Sequence, residues 1–252
     1  MSDGTLFSLQ GEILTADILS DGSIGKLRWV GNVPEATLQL NVESTDKTES
    51  YTGQRLQIGR LQTGLTSSLN YTMDEWSATN LASAFNSEKT VIAASTVTGE
   101  TFPTGLAVGD LVRLDHPFVT SLAITDSAGT PATVAGSNYV LQGHCDNVVK
   151  IAGLGAYVQP FKAAYSYAAV DNLVLFSKIG KAVYMQFNGV NTETGDPVLL
   201  DLWRVRHDPI KELALINKEY GNLPMTSAVL YDRTRAIDPV LGGFGRLQQK
   251  SA

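Results

Sequence analysis

The alternation of apolar and polar residues along this chain predicts two long antiparallel hairpins. Residues 37–72 alternate with a period of two on either side of a polar tip at 45–53. Residues 182–207 repeat this arrangement around a second polar tip at 189–196. A period of two is typical of strands with one face buried. We therefore predict hairpins over 37–72 and 182–207.

A short helix is predicted after each hairpin. Apolar residues at helical spacing form one stripe over 74–86, which indicates an amphipathic helix. The second helix is predicted over 209–220. There Asp208 is placed to cap the first turn, Pro209 is tolerated at the first helical position, and Gly221 favours a stop.

These elements predict a mainly β fold, a β-sandwich or barrel with two short flanking α-helices. The first half covers 1–98 and the second covers 157–232, and each contains a hairpin followed by a helix. The segment 99–156 is strand-rich and irregular, either a small inserted β-domain or a continuation of the main sheets. Residues 233–252 form a C-terminal arm. The repeat is either an internal duplication or the two halves of one sandwich.

The composition of the 252 residues favours a protein that binds copies of itself. Charged residues make up 17% of the chain and hydrophobic residues 43%. So few charges are unusual for a soluble monomer and suit a surface that other copies cover. The net charge is −6 without any basic block, which argues against tight, sequence-independent binding of nucleic acid.

No catalytic, metal or cofactor site is predicted, so we do not expect an enzyme. The single cysteine, Cys145, excludes an internal disulfide. His144 and Cys145 are the nearest approach to a metal pair, but adjacent residues of a strand point to opposite faces and structural zinc takes four ligands. A hydrolase of surface polymers would need a carboxylate pair in a cleft, and nothing in the sequence pairs its carboxylates.

Targeting signals are not expected either. The start, Met1–Gly4, has neither the basic nor the apolar stretch of a signal peptide. No apolar run approaches the roughly 20 residues of a membrane helix. We expect synthesis in a cytoplasm and no membrane contact.

Several short segments near both ends of the chain have a familiar sequence. They are Leu9–Ile13, Leu27–Val33, Phe187–Asn191, Val198–Arg206, Pro209 with Lys211–Leu213, and Val229–Asp232. In these segments the chain resembles the major tail tube proteins of long-tailed, siphovirus-like bacteriophages. The resemblance extends over both ends of the chain, about two thirds of it, and is weakest over 90–151.

This resemblance implies a structural virion protein without cofactors, located in the phage tail and made in the host bacterial cytoplasm. Subunits of that family close into rings that stack into a hollow tube around a tape-measure protein, through which the genome is later ejected. The implied partners are other copies, the tape-measure protein, and tail terminator and distal tail proteins, with DNA only in transit. Two hairpin–helix units in one chain favour a trimer with pseudo-sixfold symmetry. A hexamer follows instead if the repeat is two halves of one sandwich.

Two groups of residues are expected at the surfaces of such a tube. Glu193, Asp196 and Asp201 would give the lumen an acidic lining along which DNA slides, although a solvated turn explains the same acidic residues. Contacts between rings would come from the hairpin tips and the arm. The residues expected there are Asp46, Lys47, Glu49, Tyr51, Asn191, Thr192, Arg233 and Arg235.

Two other functions remain open. The chain could be a carbohydrate-binding or host-surface-binding β module of a phage tail, with Trp29, Trp76 or Trp203 as a stacking platform. It could also be a related ring protein of the tail tip or neck.

Overall fold

The computed structural model describes residues 6–250. Strands hold 48% of the residues and helices 4%, so the fold is mainly β, and its sheets are antiparallel. The chain divides into two compact units. Unit 1 comprises Met1–Lys89 and Leu173–Ala252, and unit 2 comprises Thr90–Asn172. Unit 2 is thus an insertion in the chain of unit 1.

The elements are numbered here in chain order. They are β1 (Leu9–Asp17), β2 (Arg28–Trp29), β3 (Glu35–Thr48), β4 (Gln57–Met73), α1 (Ala78–Ala84), β5 (Lys89–Ile92), β6 (Ser95–Thr101), β7 (Leu111–Arg113), β8 (Val119–Thr125), β9 (Tyr139–Gln142), β10 (Val148–Ile151), β11 (Lys162–Tyr167), β12 (Val170–Leu173), β13 (Ala182–Asn191), β14 (Pro197–His207), β15 (Leu223–Val229) and β16 (Gly245–Gln249). A 3₁₀ turn at Gly136–Asn138 precedes β9.

Both predicted hairpins lie in one sheet of unit 1. Its strand order is β2-β1-β13-β14-β15-β4-β3, and β16 also pairs with β14. Strands β3 and β4 form the first hairpin, at the end of this order, and β13 and β14 form the second, in its middle. The two hairpins therefore share one sheet, and residues of both contribute to one apolar core.

Unit 2 has its own core and its own small sheets. One sheet has the order β7-β10-β9 and the other β6-β11-β8, and side chains such as Leu114, Ile124 and Phe161 are buried there. Unit 2 is wider than the segment 99–156 that the sequence set apart, because β6 and β11 pair with each other and complete one of these sheets. Strands β5 and β12 pair where the chain enters and leaves the unit.

Helix α1 is shorter than the helix predicted over 74–86. Strand β4 continues to Met73, where it pairs with Leu223 of β15. The helix starts after Ser77, whose side chain accepts a hydrogen bond from the backbone N–H of Asn80 at 3.1 Å. Leu81 and Ala84 face the core of unit 1.

The helix predicted over 209–220 is wrong for this structure, in which these residues form bends and irregular backbone. Two hydrogen bonds hold the start of the segment: the Asp208 N–H donates to the Thr226 carbonyl and the Ile210 N–H to the Ala84 carbonyl. Beyond Leu213 the apolar side chains have nothing in the described chain to pack against. A 12-residue helix without packing is marginal in water.

Candidate assembly surface

The first hairpin extends beyond the sheet that carries it. Strand β15 pairs with β4 only from Ser67 to Met73, whereas β3 pairs with β4 from Thr72 back to Gln57. In the described chain no further strand pairs with residues 57–66 of β4. This outer part is therefore a two-stranded ribbon, which is marginally stable in water without additional partners.

One face of this ribbon is apolar and exposed. Leu40, Val42 and Leu65 lie on the face that carries the buried Leu69 further in, because Leu38 pairs with Leu69 and Val42 with Leu65. Their exposures are 74%, 61% and 56%. We call these three residues the hairpin strip. It continues the core-facing side of the sheet out into solvent.

The opposite face of the ribbon is polar. Gln39 pairs with Ser68, and Asn41 pairs with Thr66. Gln39, Asn41 and Thr66 are exposed and Ser68 is half-buried. The hairpin is therefore amphipathic along its length, as its period of two predicts, but no described residue covers its outer apolar side.

The tip of the first hairpin is braced from inside by Glu49, which was expected to contact another ring. Its carboxylate accepts from the backbone N–H groups of Tyr51, Thr52 and Leu56 at 2.7, 2.8 and 3.2 Å, and from the Thr52 hydroxyl. The Thr52 hydroxyl bond, followed by these backbone bonds, lowers the pKa of Glu49 to about 2. Glu49 is buried, so the expectation that it contacts another ring is wrong for this structure. Its role is to hold the hairpin tip. Lys47 and Tyr51 remain exposed.

Asp46 lies near the same tip, and its side chain contacts residues of its own hairpin. Its carboxylate accepts from the Gln57 amide at 2.8 Å and lies 3.5 Å from the Arg60 guanidinium. Both members of the ion pair are largely exposed, so it contributes little to stability. Asp46 remains accessible to a partner.

At the second tip Asn191 is buried, whereas the two residues that follow it are exposed. The Asn191 side chain is buried and its oxygen accepts from the N–H groups of Ser8 and Glu193 at 3.0 and 3.2 Å. The Asn191 side chain therefore holds the turn. The expectation that Asn191 contacts another ring is wrong for this structure. Thr192 and Glu193 are exposed, and Asp196 is half-buried.

Asp201, expected to face a lumen, is turned into the protein. It is 3% exposed, accepts a short hydrogen bond from the Tyr184 hydroxyl, and accepts from Arg246 Nε at 2.8 Å. Burial and this hydrogen bond to Asp201 raise the pKa of the Tyr184 phenol. Alternation in β14 shows that Asp201 and Trp203 share a face but does not show that a later segment covers that face. The lumen assignment of Asp201 is wrong for this structure.

That later segment is the C-terminal arm. The buried Trp203 donates its indole N–H to the Leu241 and Gly242 carbonyls at 3.1 and 3.0 Å. The Arg235 guanidinium lies 4.6 Å from the centre of the same ring. Beyond these contacts the arm continues into β16, which pairs with β14 from Val198 to Leu202.

The arm residues expected at a ring contact differ in their availability. Arg235 is half-buried and lies 3.4 Å from the Asp232 carboxylate, so it mainly holds the arm in place. The expectation that Arg235 contacts another ring is therefore wrong for this structure. Arg233 is exposed and free for a partner surface. The contact of Arg246 with Asp201 was not predicted from the sequence. The available signal was the alternation of residues around Arg246, which indicates a strand in the C-terminal arm.

An open apolar cleft lies on the inner face of the unit 1 sheet. Its volume is about 690 Å³, and none of its lining residues is charged. Leu9 and Leu247 at the cleft are 43% and 61% exposed. The apolar residues that define it are Leu9, Leu38, Leu69, Phe187, Leu200 and Leu247.

One buried pair in unit 1 joins a histidine to a hydroxyl. His207 Nδ1 lies 2.8 Å from the Ser227 hydroxyl, and both residues are buried. Burial, with the nearby Arg28 charge, lowers the pKa of His207 to about 4. Among residues 6–250 no cluster of His, Cys, Asp and Glu could hold a metal ion, and no helix is long and apolar enough to cross a membrane.

The chain exposes more surface than a compact monomer of its size. Its accessible area is 16473 Å². A compact protein of 27.0 kDa exposes about 10,800 Å². Two separate compact bodies with the sizes of units 1 and 2, about 18 and 9 kDa, would together expose about 12,900 Å². The excess of more than about 3,000 Å² includes the ribbon and its strip.

Comparison with known proteins matches the chain to a protein family. The model of a family described as "Protein of unknown function UCP028589" matches residues 6–248. No curated protein matches the chain.

Proposed function

The chain belongs to the family of that description, and we propose that it is a structural subunit that assembles with its own copies into stacked rings, the tube of a bacteriophage tail. The observation that carries this proposal is the surplus of exposed surface together with the hairpin strip. Obligate interfaces bury about 2,000–5,000 Å² or more in total, about half of it from each partner, so the surplus of one chain is enough for at least one such interface. The sequence resemblance to tail tube proteins is what favours a tube of stacked rings as the kind of assembly.

Free strand edges offer the route by which copies would join. Strand β3 ends the sheet order, so one edge of it is unpaired within the described chain. Strand β1 pairs with β2 only at Leu14 and Thr15, which leaves most of its outer edge without a ladder. Pairing β3 of one copy with β1 of the next continues the sheet head to tail. Such a contact closes into a ring when its rotation closes.

The shared sheet favours a hexamer over the trimer. A trimer with pseudo-sixfold symmetry requires two tube folds per chain, but both hairpins here contribute to one sheet and one core. Unit 2 has two three-stranded sheets and is not a second copy of unit 1. Six chains would each contribute one hairpin-bearing sheet to the ring.

In this proposal the tube surrounds a tape-measure protein and then conducts DNA. With Asp201 buried, the acidic lining of the lumen reduces to Glu193 and Asp196. Replacing both with lysine should leave tubes intact and slow genome ejection, because fixed positive charge binds phosphate. Unchanged ejection kinetics in virions that carry both substitutions would remove these residues from the lumen.

The proposal is tested by charging the hairpin strip. In the double variant Leu40→Asp, Val42→Asp, two charges lie where the strip would be buried, and the chain should stay monomeric. The matched control Gln39→Asp, Asn41→Asp places two charges on the opposite face of the same strand and should assemble as the wild type does. Sedimentation velocity over a concentration series separates the two results. Equal assembly of both variants would contradict the proposal.

A second function is favoured by one observation, the exposure of Trp29 and Trp76. Both indoles are more than half exposed, and their segments adjoin, since Asn32 donates to the Asp74 carboxylate at 2.7 Å. Trp203 is buried beneath the C-terminal arm, so the expectation that it forms a stacking platform is wrong for this structure. Specific binding in a glycan array that is lost in Trp29→Ala and Trp76→Ala would support a host-surface module.

A further inference from the structure

We propose that residues 209–220 are an assembly contact: they fold into an amphipathic helix when the apolar cleft of a second copy receives them. This inference rests on the proposed function and names one of its interfaces. Its starting point is a conflict between the segment's sequence and its structure.

The sequence of the segment has the signals of a helix. Asp208 and Pro209 mark a start, and Gly221 marks a stop. At 3.6 residues per turn, Leu213, Ile216 and Tyr220 would lie on one stripe. The residues that would lie away from that stripe are Lys211, Glu212, Leu215, Lys218 and Glu219.

In the structure the segment does not form the helix that these signals predict. From 211 to 222 the backbone makes no hydrogen bond to the described part of the chain, although Ile210 and Leu213 pack against the core of unit 1. Leu215, Ile216 and Tyr220 are 82%, 97% and 101% exposed. The segment is thus anchored at its start and presents apolar side chains to solvent. A stretch of this kind gains helical order when a partner surface buries its stripe.

A second copy is the partner that fits. The chain's own cleft of about 690 Å³ is open and uncharged, and its lining is mostly apolar, with Gln10, Asn32 and Gln186 as its polar side chains. The stripe of the helix is uncharged as well. Burying an apolar stripe in such a groove is a recurrent mode of recognition. Segment and cleft are different patches of unit 1, so the contact is head to tail, as in a ring. The surplus surface of the chain is large enough to include it.

Hydrogen exchange during assembly tests the helix. In the free chain the amides of 212–220 should exchange without protection, and in the assembled protein they should be protected. Ile216→Asp and Tyr220→Asp should each raise the concentration needed for assembly about tenfold or more. Leu215→Asp should change it little, because Leu215 would lie off the stripe despite its equal exposure. Equal effects of all three substitutions would overturn the helix.

A crosslink tests the cleft. In a Cys145→Ser background, chains with Ile216→Cys are mixed with chains that carry Leu247→Cys, and a short bis-maleimide is added. Linked pairs of the two variants are expected in assembled protein. Mixing with Ile237→Cys chains should give few, because Ile237 is an exposed residue of the arm and does not line the cleft. Preferential linkage to position 237 would overturn the cleft as the receptor. Assemblies whose 212–220 amides stay unprotected would overturn this inference alone, and a wild-type chain that never assembles would overturn the proposed function as well.

Discussion

The two hairpins of unit 1 have the same sequence pattern and very different surroundings. Hairpin β13–β14 lies in the middle of the sheet, where β1 pairs with one side and β15 and β16 with the other. Met185 and Val205 in it are fully buried. Hairpin β3–β4 ends the sheet, and its outer half exposes apolar residues of the same type. The same alternation therefore gives a buried hairpin where strands flank it on both sides, and a partly exposed hairpin where its outer half has no neighbouring strand.

The largest expected difference between the hairpins is in monomer stability. Leu202→Ala in β14 removes a buried side chain and should lower the free energy of unfolding by about 2–5 kcal/mol. Leu40→Ala in β3 should change it by less than about 0.5 kcal/mol, because that side chain is exposed. Urea unfolding of dilute, monomeric protein measures both. A similar loss in the two variants would mean that the outer ribbon packs against its own chain.

The next effect concerns His207 at the end of the central hairpin. Its pKa is lowered from 6.5 to about 4 in the folded chain, so the unfolded chain binds a proton first as the pH falls. The stabilising contribution of His207 is complete above pH 6.5 and is lost as the pH falls through 6.5 towards 4, by about 3 kcal/mol. His207→Gln should flatten the stability curve in this window. An unchanged curve would contradict the buried, neutral state.

A smaller effect is expected where the central hairpin holds the arm. Asp201→Asn weakens the contacts of that side chain to Arg246 and Tyr184 and should cost about 1–3 kcal/mol. Limited trypsin digestion should then cut at Arg246 earlier than in wild type. Asp196→Asn, in the same hairpin but half-buried at its tip, is the matched control. Equal protection of Arg246 in both variants would show that Trp203 and the pairing of β16 with β14 hold the arm without the Asp201 carboxylate.

The smallest effect is at the tip of the outer hairpin. The pKa of Glu49 is lowered from 4.5 to about 2, so its brace is present above pH 4.5 and is lost as the pH falls through about 2. The stability advantage of wild type over Glu49→Gln should therefore shrink between pH 4.5 and 2. An NMR titration of the Glu49 carboxyl gives the midpoint directly. A midpoint near 4.5 would show that the tip is open in solution.

The strand alternation was sufficient to predict both hairpins of unit 1, because a period of two survives in any half-buried strand. It was not sufficient to assign faces. Asp201, Glu49 and Asn191 are polar residues in or next to turns and strands, yet each is buried because residues distant in sequence or across a turn satisfy it. Such hydrogen bonds depend on tertiary placement, which no local pattern encodes.

The helix prediction over 209–220 failed for a related reason. Caps and spacing are local signals, but most of the stability of a short helix comes from what buries its stripe. Ile216 and Tyr220 have nothing in the described chain to cover them. The exposed strip of the outer hairpin was likewise invisible to the sequence, because Leu40 alternates in the same way as the buried Met185.

Assembly through the outer hairpin can be observed by electron microscopy of the purified wild-type chain at rising concentration. We expect hollow rings with sixfold end-on averages that stack into tubes, and no rings in the double variant Leu40→Asp, Val42→Asp. A wild-type chain that remains a monodisperse 27 kDa particle at every concentration would contradict this expectation.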